Sequence, residues 1–256
     1  MLVLQELVPK SDFLQVAHEQ RELVDGWFVT DSSRGIPAPS GTVVGSVLKS
    51  KYPDKTVLPV CILHYKSRVE VGALALAAAA VGVDGMVVDG PRFVLDPTSG
   101  ELKPLWGDAP RYGEFVAMFR SPEEGREFLR ETLGIKNLKI GGLISARFSS
   151  EECVAKAEDR WDFLVFMRLA EDSMYKLEEV SRACRKAGKP LYTYLMVATP
   201  KNRGLIGKIG WPSLSMERVE DFCEGLTGMV NGLIPTCVGD REGERELLRR
   251  LQKFRE

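Results

Sequence analysis

Eight short apolar runs, each followed by a stretch of helical periodicity, constrain this chain more than any other feature of it. The runs cover residues 2–8, 27–30, 57–63, 84–88, 138–144, 162–167, 190–197 and 230–235. Most are continuous in Val, Ile and Leu, the pattern of parallel strands covered on both faces. The helical stretches cover 11–24, 41–51, 67–81, 121–133, 149–159, 172–187, 215–228 and 240–254. Ser11, Ser121-Pro122-Glu123-Glu124, Ser149-Ser150-Glu151-Glu152 and Gly239-Asp240 supply helix starts, and Gly134 and Gly188-Lys189-Pro190 supply stops. Eight strand–helix units in 256 residues predict an α/β fold of one domain spanning 1–256, a single eight-stranded (β/α)8 TIM barrel. An open doubly wound sheet is the alternative. It needs a glycine-rich first turn for a dinucleotide, and this first turn reads Pro9-Lys10-Ser11-Asp12. Neither G-x-G-x-x-G nor a P-loop occurs.

Charge and cysteine usage narrow the classes of partner. Lys and Arg number 35 and Asp and Glu 36, a net charge of -1 with no basic patch for nucleic acid. Cys61, Cys153, Cys184, Cys223 and Cys237 are scattered with no C-x-x-C pair, as in a reducing cytoplasm. His18 and His64 are too far apart to suggest a metal site. The longest apolar run, Ala73–Val83, is too short to span a bilayer, and no signal peptide is expected at the N-terminus. A cytoplasmic chain is expected, away from membranes and nucleic acid.

Two connections are long. Residues 31–40 carry Ser, Arg, Gly and two prolines; residues 89–113 form an inserted loop with a turn signal at Asp96-Pro97-Thr98-Ser99-Gly100. Both follow strands, so both belong to the C-terminal face, where barrel chemistry sits. The same geometry brings strand-end residues to one mouth: Glu6, Thr30, Asp31, His64, Asp89, Arg147, Arg168, Thr199 and Thr236.

Glu6 closes an apolar strand, where burial raises a carboxyl pKa and suits a general acid; pairing with Lys10 or an arginine is the other reading. Asp89, before Gly90-Pro91, is either a second catalytic carboxylate that polarises a heterocycle nitrogen or a turn aspartate. Thr30 and Asp31 either hold the edge of a cofactor or cap a turn. His64 either touches a ligand or packs in its loop. Arg147 and Arg168 either bind an anionic tail or pair with Glu151, Glu171 or Asp172.

Several segments resemble the methylenetetrahydrofolate reductase family. Glu6-Leu7-Val8-Pro9-Lys10, Val29-Thr30-Asp31, the turn in 59–68 and the 78–89 segment ending in Val87-Val88-Asp89 are similar to its first four strand ends. Segments 160–166, 194–203, Gly210-Trp211-Pro212-Ser213 and 230–237 continue the likeness in order. The resemblance implies a barrel holding FAD, which passes a hydride from a reduced nicotinamide to a folate. It implies that Glu6 protonates the pterin substrate, that Thr30 contacts the flavin and that Asp89 lies beside both. Asp31, His64 and Arg147 join Thr30 as candidate cofactor contacts. The sequence departs from the family at strand five, Ile144-Ser145-Ala146-Arg147-Phe148, and lacks the strand-six glutamine. An oxidoreductase of one-carbon metabolism is therefore the first expectation. The alternatives are a pterin-binding methyltransferase barrel without flavin and a non-catalytic barrel subunit, as a homo-oligomer or in a complex.

Overall fold

A computed structural model describes residues 1–31, 38–90, 93–95, 102–104 and 119–255. The strands in chain order are β1 (Leu2–Leu7), β2 (Gly26–Val29), β3 (Thr56–Ile62), β4 (Gly85–Asp89), β5 (Phe93–Leu95), β6 (Leu102–Pro104), β7 (Lys139–Ser145), β8 (Phe163–Met167), β9 (Leu191–Ala198), β10 (Leu214–Ser215) and β11 (Gly232–Thr236). The α-helices are α1 (Phe13–Gln20), α2 (Gly41–Lys51), α3 (Arg68–Val81), α4 (Pro122–Glu127), α5 (Ser150–Glu158), α6 (Met174–Lys186), α7 (Arg203–Ile209), α8 (Val219–Leu226) and α9 (Arg241–Arg250). Hydrogen-bonded neighbours run β10-β9-β11-β1-β2-β3-β4-β7-β8, and β9 also pairs with β8. That last pairing returns the order to its start. Eight parallel strands therefore close on themselves, and the fold is a (β/α)8 barrel. β10 is a two-residue addition on β9, and β5 and β6 form a separate antiparallel pair in the expected inserted loop. The turn expected at 96–100 lies outside the described residues.

Contacts divide the chain into two compact units: residues 1–7, 12–28 and 141–256, and residues 8–11 and 29–140. In the first unit, parallel register puts Gly232 opposite both Leu2 and Tyr192. A Cβ on Gly232 would stand 2.8 Å from the Tyr192 ring, so the glycine makes room for that ring. Gly141 does the same for Phe163, whose ring would be 2.3 Å from an added Cβ. Register also fixes the next layers upward. Ile234 faces Tyr194, and Thr236 faces Met196.

In the second unit, α2 packs on β3, and Asp84 ties the start of β4 to its neighbours. Asp84 accepts from Val57 N at 2.8 Å and from Lys49 Nζ at 2.9 Å. Asp31, just past β2, is buried. It accepts from Lys66 Nζ at 2.6 Å, from Ile62 N at 3.0 Å and from Gly41 N at 3.4 Å.

Candidate active site

The first unit assembles a group around Glu6. Side chains alternate along β1, so Glu6 and Gln5 leave opposite faces. Glu6 hydrogen-bonds with the hydroxyls of Tyr194 on β9 and Thr236 on β11. Tyr194 and Thr236 are buried, while Glu6 keeps partial solvent access. The protein still closes round its carboxyl enough for desolvation to raise its pKa, against the pull of the two hydroxyls. Tyr194 is pushed well above its ordinary value by burial and then by the charge of Glu6.

Gln5, facing the other way, donates Nε2–H to Glu244 Oε1 at 3.2 Å. Burial raises Glu244 to about 8, with the charge of Glu6 adding to the shift. Gln5 Oε1 is buried with no hydrogen-bond partner. When protonated, Glu244 carries a hydroxyl donor of the kind that oxygen lacks.

Beyond Tyr194 the group extends to cations. The Tyr194 ring meets Trp211 edge-on, with centroids 5.6 Å apart. The Arg168 guanidinium lies 4.5 Å from the Trp211 centroid. Arg168 follows β8 at φ 62, the one non-glycine residue with positive φ among those described. Left-handed backbone costs an ordinary residue about 1–2 kcal/mol, which marks this position as held by its surroundings. Burial, and then the charge of Arg147, lowers Arg168 to about 10.

Further round the first unit, Thr199 donates its hydroxyl to Asp240 at 2.7 Å. Burial acts to raise Asp240, but Thr199 and the Gly243 N–H, at 3.1 Å, hold it below the usual carboxylate value. These contacts cap α9 and join it to the end of β9.

The remaining strand-end candidates belong to the second unit. Asp31 is taken up by Lys66 and two backbone amides. Asp89 accepts from the N–H of its own neighbour Gly90 at 3.0 Å, as a turn aspartate does. His64 sits half-buried in a single 3-10 turn after β3, and burial lowers its pKa. Thr30 is half-buried at the end of β2. The structure thus brings Glu6, Thr236, Arg168 and Arg147 into one unit, and Thr30, Asp31, His64 and Asp89 into the other. No group of three or more His, Cys, Asp or Glu side chains suited to a metal occurs among the described residues. No helix among them is long and apolar enough to cross a membrane.

Sequence reading missed Tyr194, Trp211 and Glu244. Apart from the buried Thr193, β9 is apolar or aromatic on both faces, so alternation does not show which tyrosine faces Glu6. Glu244 is hidden in the charged run Arg241-Glu242-Gly243-Glu244-Arg245. Its signal is periodicity: Glu244 stands three, four and seven residues before the buried Leu247, Leu248 and Leu251, at the edge of the buried stripe of that last helical segment.

A (β/α)8 barrel with a desolvated acid at the end of its first strand is the class that fold and site define. No family model and no curated protein matches the chain. Solved structures match it in fold. One is a protein from Aquifex aeolicus VF5, at TM-score 0.59 and 12% identity over 98% of this chain and 92% of that one. Another is a mutant tryptophan synthase α-subunit from the hyperthermophile Pyrococcus furiosus, at TM-score 0.57 and 14% identity over 98% and 96%. A third, from the tryptophan synthase α2β2 complex of the same organism, has TM-score 0.53 and 12% identity over 98% and 96%. At these identities the likeness is one of fold.

These findings correct the reductase reading. The resemblance finds no family model behind it, and the barrels that match in fold include tryptophan synthase α-subunits. The short segments that carried it are strand ends and Gly/Pro turns, which barrel architecture itself favours at those places. The one-carbon oxidoreductase assignment and its folate or pterin substrate fall with it, and so does the reason for expecting FAD or a reduced nicotinamide.

Proposed function

We propose that this barrel is an enzyme that transfers a proton, with Glu6 as its general acid. The observation that carries the reading is the Glu6 carboxyl, desolvated at the end of β1 and held by the Tyr194 and Thr236 hydroxyls. Desolvation keeps the proton on Glu6 to higher pH than in a free glutamate. The two hydroxyls oppose that effect. Once the proton has gone to a substrate heteroatom, they donate to the carboxylate left behind and lower the cost of its charge. The acid is thus protonated before the step and stabilised after it.

Carbon-13 labelling of glutamate, with Glu6→Gln to assign the resonance, tests the premise. Glu6 should titrate above the ordinary glutamate value of about 4.3. Titration at that ordinary value removes the acid from the reading. In any turnover the parent supports, Glu6→Gln should cost roughly 10²–10⁴ in rate.

A second reading, as the barrel subunit of a complex, has its own support. The matching tryptophan synthase α-subunit belongs to an α2β2 complex described as mutually activating. In the second unit of this chain, Val43, Val47 and Val81 line an exposed apolar groove between α2 and α3, with Leu76 exposed on the same helix. Light scattering across a concentration series tests self-association. A dimer abolished by Val47→Glu supports the reading for a second copy, and a monomer at every concentration removes that form of it.

A further inference from the structure

The geometry points to an oxyanion subsite in the first unit, in which Arg168 and Arg147 bind the carboxylate or phosphate tail of the substrate. The proposal relies on the Glu6 reading only for the identity of the molecule whose tail is held.

The placement comes from the strand ends. Ser145 of β7 is opposite Met167 of β8, and Ala146 N donates to Met167 O at 3.1 Å. That register sets Arg168 opposite Ala146 with Arg147 one residue further along its own segment, close enough for its charge to act on Arg168. The pKa of Arg168 is lowered first by its burial and then by the charge of Arg147, since neighbouring guanidinium groups repel. A structural arginine pair would be neutralised by carboxylates. Neither arginine has a carboxylate partner among the described residues. Of the acids at these helix starts, Glu171 pairs with Arg218, Glu152 closes the capping box with Ser149, and Glu151 is held by hydrogen bonds with its own backbone and Ser149.

Arg168 is also braced. Its φ of 62 and the Trp211 ring fix the direction of the side chain, and Tyr194 supports that ring edge-on. An aromatic ring holds a guanidinium without using its N–H donors, so the fork remains available to two oxygens of an oxyanion. Tyr194 also bonds with Glu6. One run of contacts, Arg168 to Trp211 to Tyr194 to Glu6, thus joins the cation pair to the acid. An anion between the arginines relieves their repulsion, and the molecule carrying it extends toward Glu6. Carboxylate and phosphate share this chemistry, and the probes below tell them apart.

The full chain is titrated with inorganic phosphate and, separately, with succinate. Calorimetry and indole fluorescence read the binding. At least one probe should bind saturably and more weakly as sodium chloride is raised. Arg168→Met should weaken it roughly tenfold or more, and Arg147→Gln several-fold. Arg168→Lys keeps the charge but loses the fork, and it should also bind more weakly; it carries the test if the Met variant does not fold. Trp211→Phe should keep binding and lose the fluorescence change. Phosphate binding alone assigns a phosphate tail, and succinate binding alone a carboxylate. Absence of saturable binding by both probes overturns the subsite, as does binding unchanged in both Arg168 variants. Glu6→Gln should leave probe binding intact. Should Glu6 titrate as an ordinary glutamate while the probes still bind through Arg168, the acid role fails and the subsite stands.

Discussion

At the scale of single residues, the first unit holds two carboxyls whose folded state favours the proton. The unfolded chain releases the Glu244 proton near the ordinary value of 4.5, whereas the folded chain keeps it to about 8. Between those values the native state binds more protons than the unfolded state, so stability falls as pH rises through the window. Glu6 acts in the same sense. Asp240, held below its usual value, acts in the opposite sense and loses its contribution on acidification. Denaturant midpoints across the window from about pH 5 to about pH 9 should therefore decline, and Glu244→Gln should flatten the decline. Identical slopes for parent and variant would show that Glu244 ionises freely. Glu6 was legible because one carboxylate ended an apolar run. Glu244 was hidden because its neighbours in sequence are charged, and only the tertiary fold turns its face inward.

At the scale of elements, most of the fold was written in local signals. All eight barrel strands lie within a residue or two of the apolar runs. The Ser-x-x-Glu starts fold as such: Ser121 accepts from Glu124 N at 3.2 Å. Ser149 and Glu152 form the full reciprocal box, with Ser149 Oγ accepting from Glu152 N at 3.2 Å and Glu152 Oε2 from Ser149 N at 2.9 Å. Ser149→Ala should cost about 1 kcal/mol in urea denaturation, and a loss within error would mean that packing alone fixes the start of α5.

Beyond the β5–β6 pair, other elements escaped the pattern for physical reasons. α7 carries Gly204 and Gly207 in seven residues, which depresses its helical propensity. β10 is too short to have a period. The helix expected over 121–133 divides, because α4 passes into a wider π-type turn over Phe128–Thr132 that a fixed spacing does not describe. At the first helix, Asp12 rather than Ser11 occupies the cap position and makes no side-chain cap bond.

At the scale of the whole molecule, closure of the sheet was legible from counting, whereas the chemistry was not. Counting units constrains topology, because parallel strands of this number with helical crossovers have few ways to cover both faces. Which strand ends come together into one group depends on contacts between residues far apart in sequence, such as Glu6 with Tyr194 and Thr236. Short local likenesses therefore described the barrel and misdirected the function. The cysteines carry a consequence of another kind. All five are buried and none is in a disulfide, four in the first unit and Cys61 in the second. Burial pushes Cys61, Cys223 and Cys237 up to about 12 and Cys184 up to about 11, so little reactive thiolate exists while the chain is folded. Alkylation must then wait for a local opening, and each added mass marks one such event. The native thiols thus form a built-in clock. The lag at Cys61 times excursions of one unit, and the lags at the other four time those of its companion, with no label introduced.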